Sequence, residues 1–387
     1  MCRCGRHGVS RISAHAQTLM GHFLEPLLHD LAERFLFLDE EFAKLVLPPE
    51  AEPCRRKVYE RIQRGRERIV EVLRDPDVAR QEFAKNFYLV YKRLSEFVQQ
   101  VEEGPLFALS RFRDEDRFLS RIVGAVCQEF RFPQASPVCV AMSSLYYCAM
   151  PRMDLILVPQ SEASHLLGWA DLYHELAHFL LARNEAGLLR PLRRRVRDYF
   201  RRAIEDAKRS GWPRRALGEL EEWRELWLGD WIIEFACDFF GAFVAGPSFG
   251  WSNLRLCART GADLFAAESS HPPDAARTQA ILEMLGHLSA SEETERIREK
   301  WQELLATIDV EEPQTFRMAY PEGLIRELAS DSAFCFEAIG LRGYRQGVAP
   351  LADLLNEAWK RFQGDPRGFR GWELEQLNRL RTEFGLA

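Results

Sequence analysis

Two histidines four residues apart, with a glutamate directly after the first, are the residues whose types and spacing point most directly to chemistry. His174, Glu175 and His178 lie in DLYHELAHFL, residues 171–180. Residues four apart on an α-helix share one face, so both imidazoles can reach a single metal ion. Glu175 projects beside His174, where it can act on a water molecule as a general base. The spacing therefore predicts a zinc site with two ligands on one helix.

A pair of acidic residues lies in a second segment that is otherwise apolar. Glu234 and Asp238 stand one turn apart in WIIEFACDFFGAF, residues 231–243. Burying two carboxylates there is costly unless a positive group pairs with them, as a metal with its histidines would. We predict Glu234 as the third ligand and Asp238 as the acceptor of a ligand histidine's Nδ1–H. Cys237 lies about 100° from Asp238 around the helix, which predicts a poor fourth ligand. The competing interpretation is a helix with two ordinary acidic residues.

A third candidate stretch is HPPDAAR, residues 271–277, in which two prolines start a helix. His271 stands at the junction of loop and helix, where it can donate to a developing oxyanion together with a tyrosine such as Tyr146 or Tyr147. Arg277, on the second turn, can hold His271, a ligand carboxylate or a substrate carbonyl. Taken alone, the stretch is more typical of an ordinary helix begun by prolines.

The elements that must position these residues are mostly helices, because apolar residues recur at helical spacing through most of the chain. Two short antiparallel strands, 138–148 and 153–158, form the only convincing sheet, just before the helix of His174. The predicted helices cover residues 16–47, 54–74, 77–102, 114–129, 161–183, 188–209, 214–227, 229–245, 252–267, 273–287, 291–307, 320–338, 349–363 and 371–384.

The order of these elements predicts a mainly α protein in three parts. Residues 1–130 form a helical N-terminal region, and residues 291–387 form a helical C-terminal region. Residues 131–290 form the core that carries the candidate site. Within this core, residues 184–228 form a helical insertion, too long for a simple connection, that we expect to act as a lid.

Composition narrows the class of protein. The net charge of −6 argues against general nucleic-acid binding, and the seven arginines within 190–202 fit the solvated face of an amphipathic helix. No apolar run reaches the ~18 residues of a membrane span, and the first residues have no apolar core of signal-peptide length. The nine scattered cysteines form no disulfide framework. We expect a soluble cytoplasmic protein, with Cys2, Cys4 and His7 in a tail that has no metal role.

The three stretches occur in the order HELAH (174–178), EFACD (234–238) and HPPDAAR (271–277). This ordered triple resembles the gluzincin metallopeptidases. It is most similar to soluble relatives of the branch that contains the CAAX-prenyl protease and the bacterial heat-shock membrane protease. The resemblance covers about residues 136–286 and implies a zincin-like core. Since the membrane members of the branch have transmembrane helices and none is evident here, the substrate class does not carry over.

The resemblance also implies a role for each matching residue. One zinc ion would be held by His174, His178 and Glu234, with Asp238 behind the ligands. Glu175 would be the general base and then the acid, with His271 and Arg277 as further catalytic groups near the transition state. The strand with Leu155, Ile156 and Leu157 would be an edge strand that receives the substrate backbone.

These observations predict a zinc-dependent peptidase that acts on peptide or protein substrates with restricted access. A regulatory protein partner would bind through the helical flanks. The alternative is a catalytically idle, zinc-stapled helical module that binds partners. Structural zinc sites usually close with four ligands and favour cysteine. The three nitrogen and oxygen ligands predicted here, with Glu175 intact, favour catalysis.

Overall fold

The computed structural model describes residues 14–78, 80–143, 146–261, 264–267, 269–288 and 291–386. The predicted tail with Cys2, Cys4 and His7 lies outside the described residues. The described chain is mainly α-helical, as predicted, and divides into two compact units, Met1–Arg113 and Asp114–Ala387. The predicted boundary at residue 130 therefore moves to residue 113, and the C-terminal helices belong to the same unit as the core.

The first unit is a small helical bundle. It contains α1 (Ala14–Lys44), α2 (Glu52–Arg74), α3 (Ala84–Val101) and α4 (Phe107–Ser110), and a π-helical turn joins α3 to α4. Buried apolar residues of α1, such as Leu31, Phe35 and Phe42, recur at helical spacing. The ring of Phe35 occupies the space that a Cβ at Gly65 of α2 would need, so the two helices approach closely there.

The second unit combines one small sheet with many helices. It begins with α5 (Asp114–Glu129), β1 (Val138–Ser143), β2 (Cys148–Met150) and β3 (Leu155–Pro159). The helices that follow are α6 (Asp171–Arg183), α7 (Leu189–Arg209), α8 (Arg214–Leu226), α9 (Ile232–Ala245), α10 (Pro247–Thr260), α11 (Asp274–His287), α12 (Ser291–Ile308), α13 (Phe316–Ala319), α14 (Glu322–Ala338), α15 (Pro350–Gly364) and α16 (Phe369–Glu383).

The sheet corrects two predictions. Its strand order is β1-β3-β2, with β1 parallel and β2 antiparallel to β3, so the sheet is mixed and not antiparallel. Leu155, Ile156 and Leu157 lie in the central strand, and their backbone groups pair on both sides. The prediction that they form an edge strand is wrong, because β3 is buried along its whole length between two neighbours. The edge strands of this described sheet are β1 and β2.

The core of the second unit is built around α6 and α9, which pack against each other. Almost every residue of α9 is buried, as expected for a helix that is apolar all round. A π-helical turn, Trp227–Trp231, leads into α9, and the Trp227 ring stacks on Phe235 at 4.5 Å between centroids. These contacts fix the position of the first turn of α9, where Glu234 lies.

The predicted lid insertion consists of α7 and α8. The apolar face of α7 is buried, and α7 packs against α8, α9 and α14. Arg195 points toward α14 and forms an ion pair with Asp331, at 2.8 Å. Arg190, Arg194 and Arg197 are exposed, as the prediction of a solvated basic face requires.

The loop before α6 is fastened by the last helix of the unit. Glu373 of α16 is completely buried. Its Oε1 accepts a 2.7 Å hydrogen bond from the Leu166 N–H and lies 2.9 Å from Nδ1 of His165. Leu166 begins the short 3₁₀ turn that leads into α6. The α16 helix thus helps to set where α6 starts.

Two further findings bear on the expected character of the protein. The seven described cysteines from Cys54 to Cys335 are all free thiols, and only Cys148 among them is exposed. No helix in the described ranges has both the length and the apolar character that a membrane crossing needs.

Candidate metal centre

Helix α6 places His174 and His178 side by side. Their ring centroids are 5.0 Å apart, and the side chains are 10% and 21% exposed. The ring of Phe249, from α10, stacks on His174 at 6.4 Å. Both imidazoles are therefore held by packing and face the same side of the helix.

Glu234 of α9 meets both histidines. Its Oε2 lies 3.3 Å from His174 Nε2, and its Oε1 lies 3.8 Å from His178 Nε2. Donors that are about 2.0–2.2 Å from a tetrahedral zinc ion lie about 3.3–3.6 Å from one another. The two distances between the carboxylate oxygens and the histidine nitrogens are therefore close to the separations that one metal ion requires.

Asp238 and Arg277 lie behind His174. Asp238 Oδ1 is 2.9 Å from His174 Nδ1, and its two oxygens accept 2.7 Å hydrogen bonds from Nε and a terminal nitrogen of Arg277. Asp238 is fully buried, so the bidentate pair compensates its charge. The carboxylate fixes the tautomer of His174 and leaves Nε2 free to bind a metal. The structure thus places Arg277 against Asp238, the carboxylate behind His174.

The charges of the centre favour a cation between its side chains. Burial lowers the pKa of His174, but hydrogen bonds to Asp238 and Glu234 outweigh this effect and raise the pKa to about 10. Burial and the charge of His174 lower the pKa of His178 to about 4. Although burial raises the pKa of Glu234, the hydrogen bond and charge of His174 hold it well below its usual range. Without a metal, a protonated His174 stands between the carboxylates of Asp238 and Glu234.

Glu175 follows His174 on α6 and lies beside the predicted ligands. It is 7% exposed, and burial raises its pKa to about 7, with the charge of His174 opposing this effect. Its carboxylate also accepts a hydrogen bond from the backbone of Ala149, in β2. A carboxylate whose pKa lies near neutrality can take up and release a proton under ordinary conditions. The edge strand next to this carboxylate is β2.

His271 lies at the margin of the centre. Its Nε2 is 3.9 Å from Glu234 Oε2, and its side chain is 53% exposed. The hydroxyl of Ser270 is 2.9 Å from the other ring nitrogen, Nδ1. The structure therefore brings His271 close to the predicted ligands, on the side open to solvent.

Cys237 is closer to the centre than the sequence predicted. Its Sγ and one ring nitrogen of each of His174 and His178 all lie within 4.8 Å of one another, and this buried group could hold a metal ion. The prediction measured its helical angle from Asp238. Measured from Glu234, three residues earlier, Cys237 is only about 60° away. Two donor sets, one with the Glu234 carboxylate and one with the Cys237 sulfur, thus share the histidines.

A buried polar network at the start of α6 was missed by sequence reasoning. Asp171 Oδ2 accepts hydrogen bonds from Tyr146, at 2.5 Å, and from Ser252, at 2.9 Å. Tyr147 donates to the carbonyl oxygen of Gly168 at 2.8 Å. Both tyrosine hydroxyls are therefore engaged outside the predicted oxyanion position. The available signal was an aspartate three residues before His174, in a segment that is mostly apolar.

Gly168 lies inside this network, at a position where the surrounding side chains leave no space for a Cβ. A Cβ at this position would run into the carboxylate of Glu162, and would stand 3.0 Å from both the Arg255 guanidinium and the Tyr147 hydroxyl. Arg255 pairs with Glu162 at 2.7 Å. The loop before α6 is therefore packed against polar groups on one side and held by α16 on the other.

Comparison with known proteins adds no relative to this picture. No protein-family model, no curated protein and no solved structure matches the chain. What can be said of function therefore depends on the residues and their geometry.

Proposed function

We propose that the protein is a zinc-dependent metallopeptidase of the gluzincin type, with a zincin-like core. The observation that carries the proposal is the approach of Glu234 to both histidine Nε2 atoms, at 3.3 and 3.8 Å, with Glu175 buried beside them. Asp238 supports it, because its contact with His174 is the kind that orients histidine ligands of metals. His174, His178 and Glu234 would hold one zinc ion.

The chemistry divides among the residues of the chain. When bound, zinc acidifies a water molecule and polarises a carbonyl group. Glu175 takes the proton of the attacking water and passes it to the leaving amine, a task that suits its pKa of about 7. His271, half exposed at the margin, donates to the oxyanion. Arg277 acts indirectly, by holding Asp238.

We propose that the substrate binds along β2. This strand is at the edge of the sheet and its residue Ala149 contacts Glu175, so an extended peptide along β2 would bring its backbone to the general base. Access is restricted, since the side chains of His174 and Glu234 are each only 10% exposed. We place α7 and α8 as the lid that limits entry, in a cytoplasmic protein that acts on peptide or protein substrates.

One observation favours a second candidate. Cys237 beside the two histidines is a donor of the kind that structural zinc sites prefer. In that case the zinc would staple α6 to α9, and the helical regions would bind a regulatory partner without catalysis.

Changing Glu175→Gln separates the two candidates. If the protein is a peptidase, the variant keeps zinc and loses about 10²–10⁴-fold in the cleavage rate, since it retains the shape but not the base. Zinc content is measured by elemental analysis, and cleavage is measured with a quenched-fluorescent peptide library. Glu185→Gln, an exposed glutamate just after α6, is the matched control. A wild-type protein that binds zinc but cleaves no peptide, or a Glu175→Gln variant that cleaves at the wild-type rate, would count against the proposal.

A further inference from the structure

Cys237 stands at a position that the proposed reaction does not use. Its side chain is fully buried, and its Sγ belongs to the group with His174 and His178 whose donor atoms lie within 4.8 Å of one another. Glu234 contacts the same two histidines from one turn earlier on α9. Donor atoms of Glu234 and of Cys237, both on α9, thus approach the same two histidines of α6.

Helical geometry explains why one helix can supply two of these donors. Side chains advance by about 100° per residue, so Cys237 and Asp238 lie about 60° and 40° from Glu234, on opposite sides of it. Asp238 is occupied by His174 Nδ1 and Arg277. Cys237 therefore flanks the ligand carboxylate on the side away from that pair, on the face of α9 that packs against α6.

Cys237 and Cys257 are both buried in this unit, but their sulfur atoms have different neighbours. Cys257, also buried, has polar neighbours: its Sγ is 3.6 Å from the hydroxyl of Thr278 and from the amide nitrogen of Asn253. The thiol of Cys237 instead lies within reach of the two histidines of the centre and close to charged groups that include Glu234 and Asp238. A sulfur donor binds zinc at about 2.3 Å, about 0.3 Å longer than histidine nitrogen, so the separations it needs are also slightly longer.

We propose that Cys237 is a fourth metal ligand, and that the centre closes over its metal with the donors of His174, His178, Glu234 and Cys237. On ligation the S–H bond breaks, the proton leaves to solvent and the sulfur lone pair binds the metal. Catalytic zinc sites keep one position open, whereas four protein ligands fill all the positions of a tetrahedron. The inference rests on the proposed function in one respect only: if the protein is a peptidase, this closed centre is its latent form, and activity requires Cys237 to leave the metal.

X-ray absorption spectroscopy of the zinc-loaded full chain tests the ligation directly. We expect a sulfur scatterer at about 2.3 Å in addition to nitrogen and oxygen at about 2.0–2.2 Å. The sulfur contribution should vanish in Cys237→Ala and in the size-conserving Cys237→Ser, and it should persist in the control Cys257→Ala. A wild-type spectrum with nitrogen and oxygen alone, or a sulfur shell that survives in both Cys237 variants, would overturn the inference. The wild-type spectrum alone decides it if the variants fail to fold.

Failure of this inference and failure of the proposed function give different results. A nitrogen and oxygen shell together with peptide cleavage that depends on Glu175 rejects the cysteine ligand and keeps the peptidase. If the spectrum shows a sulfur shell, and the Cys237→Ala variant binds zinc but cleaves no peptide, the cysteine is a ligand and the peptidase is rejected. A chain that binds no zinc rejects both. Cleavage that rises in Cys237→Ala supports the latent form.

Discussion

Replacing Asp238 with asparagine removes one negative charge from the carboxylate that joins His174 to Arg277, while its size is conserved. The carboxylate accepts two 2.7 Å hydrogen bonds from Arg277 and lies 2.9 Å from His174 Nδ1. The neutral amide cannot reproduce the bidentate ion pair, so Arg277 keeps a buried charge without its bidentate partner. Breaking a buried pair in this way costs about 3–5 kcal/mol of the free energy of unfolding.

The same substitution should weaken zinc binding by about 10–100-fold, the usual effect of losing the partner that orients a ligand histidine. Zinc affinity is measured by competition with a chelator, and stability by denaturant unfolding of the metal-free protein. Asp230→Asn is the control, because Asp230 is an exposed acid just before α9. If Asp238→Asn binds zinc and resists denaturant as well as this control, the role we assign to Asp238 is wrong.

The pH dependence of stability provides a further check on Asp238. Burial raises its pKa, but the charge and hydrogen bonds of Arg277 outweigh burial and hold the pKa below the usual value. A depressed pKa in the folded state contributes stability that is present above about pH 4, the unfolded value, and is lost as the pH falls through the folded value. In acid, the wild type should therefore lose the stability that the ionised Asp238 carboxylate contributes, whereas the asparagine variant has no such contribution to lose. Parallel acid-unfolding profiles would contradict this.

Three other outcomes follow from the centre and its support. Glu234→Ala should lower the zinc stoichiometry in elemental analysis, and an unchanged metal content would remove Glu234 from the ligand set. The pKa of His174 is about 10 without metal, so zinc binding at pH 7 should release its proton and zinc affinity should rise with pH. Calorimetry in buffers with different ionisation heats measures this proton release. Identical binding heats in all buffers would refute the prediction. Gly168→Ala should lower the free energy of unfolding in urea by about 1–3 kcal/mol, because the added Cβ has no space. Gly187→Ala, whose Cβ would have its nearest neighbour at 3.9 Å, is the control and should have little effect. Equal stabilities of the two variants would show that the loop around Gly168 adapts.

The proximity of His174 and His178 could be predicted from the sequence because helical spacing is a local property. His174 and His178 are bound to share a face once α6 forms, and two acids in an apolar segment indicated a buried positive partner. The structure brings Glu234 and Asp238 to these histidines over a sequence distance of about 60 residues, which spacing alone could not establish. The position of Cys237 was misjudged because its helical angle was taken from Asp238 and not from Glu234, the residue that contacts both histidines.

The sheet could not be predicted because strand order depends on long-range pairing. A parallel partner such as β1 leaves no turn signal, and the single stretch 138–148 contains β1 and the first residue of β2. One signal was present in β3: the run LILVP does not alternate with polar residues, and such runs are typical of strands covered on both faces. The boundary at residue 113 also escaped prediction, because α5 looks like another helix of the first unit until its packing against β1 is known.

The fastening of the loop before α6 by Glu373 has a consequence for the order of events during synthesis. The donors of the metal centre and Arg277 all precede Glu373 by roughly 100 residues or more, which translation at about 5–20 residues per second takes about 5–20 s to add. A nascent chain therefore presents the side chains of the candidate metal centre before the carboxylate that holds His165 and Leu166 has been made. Metal acquired on the ribosome would meet an unbraced α6, and the final geometry would be set only when α16 docks.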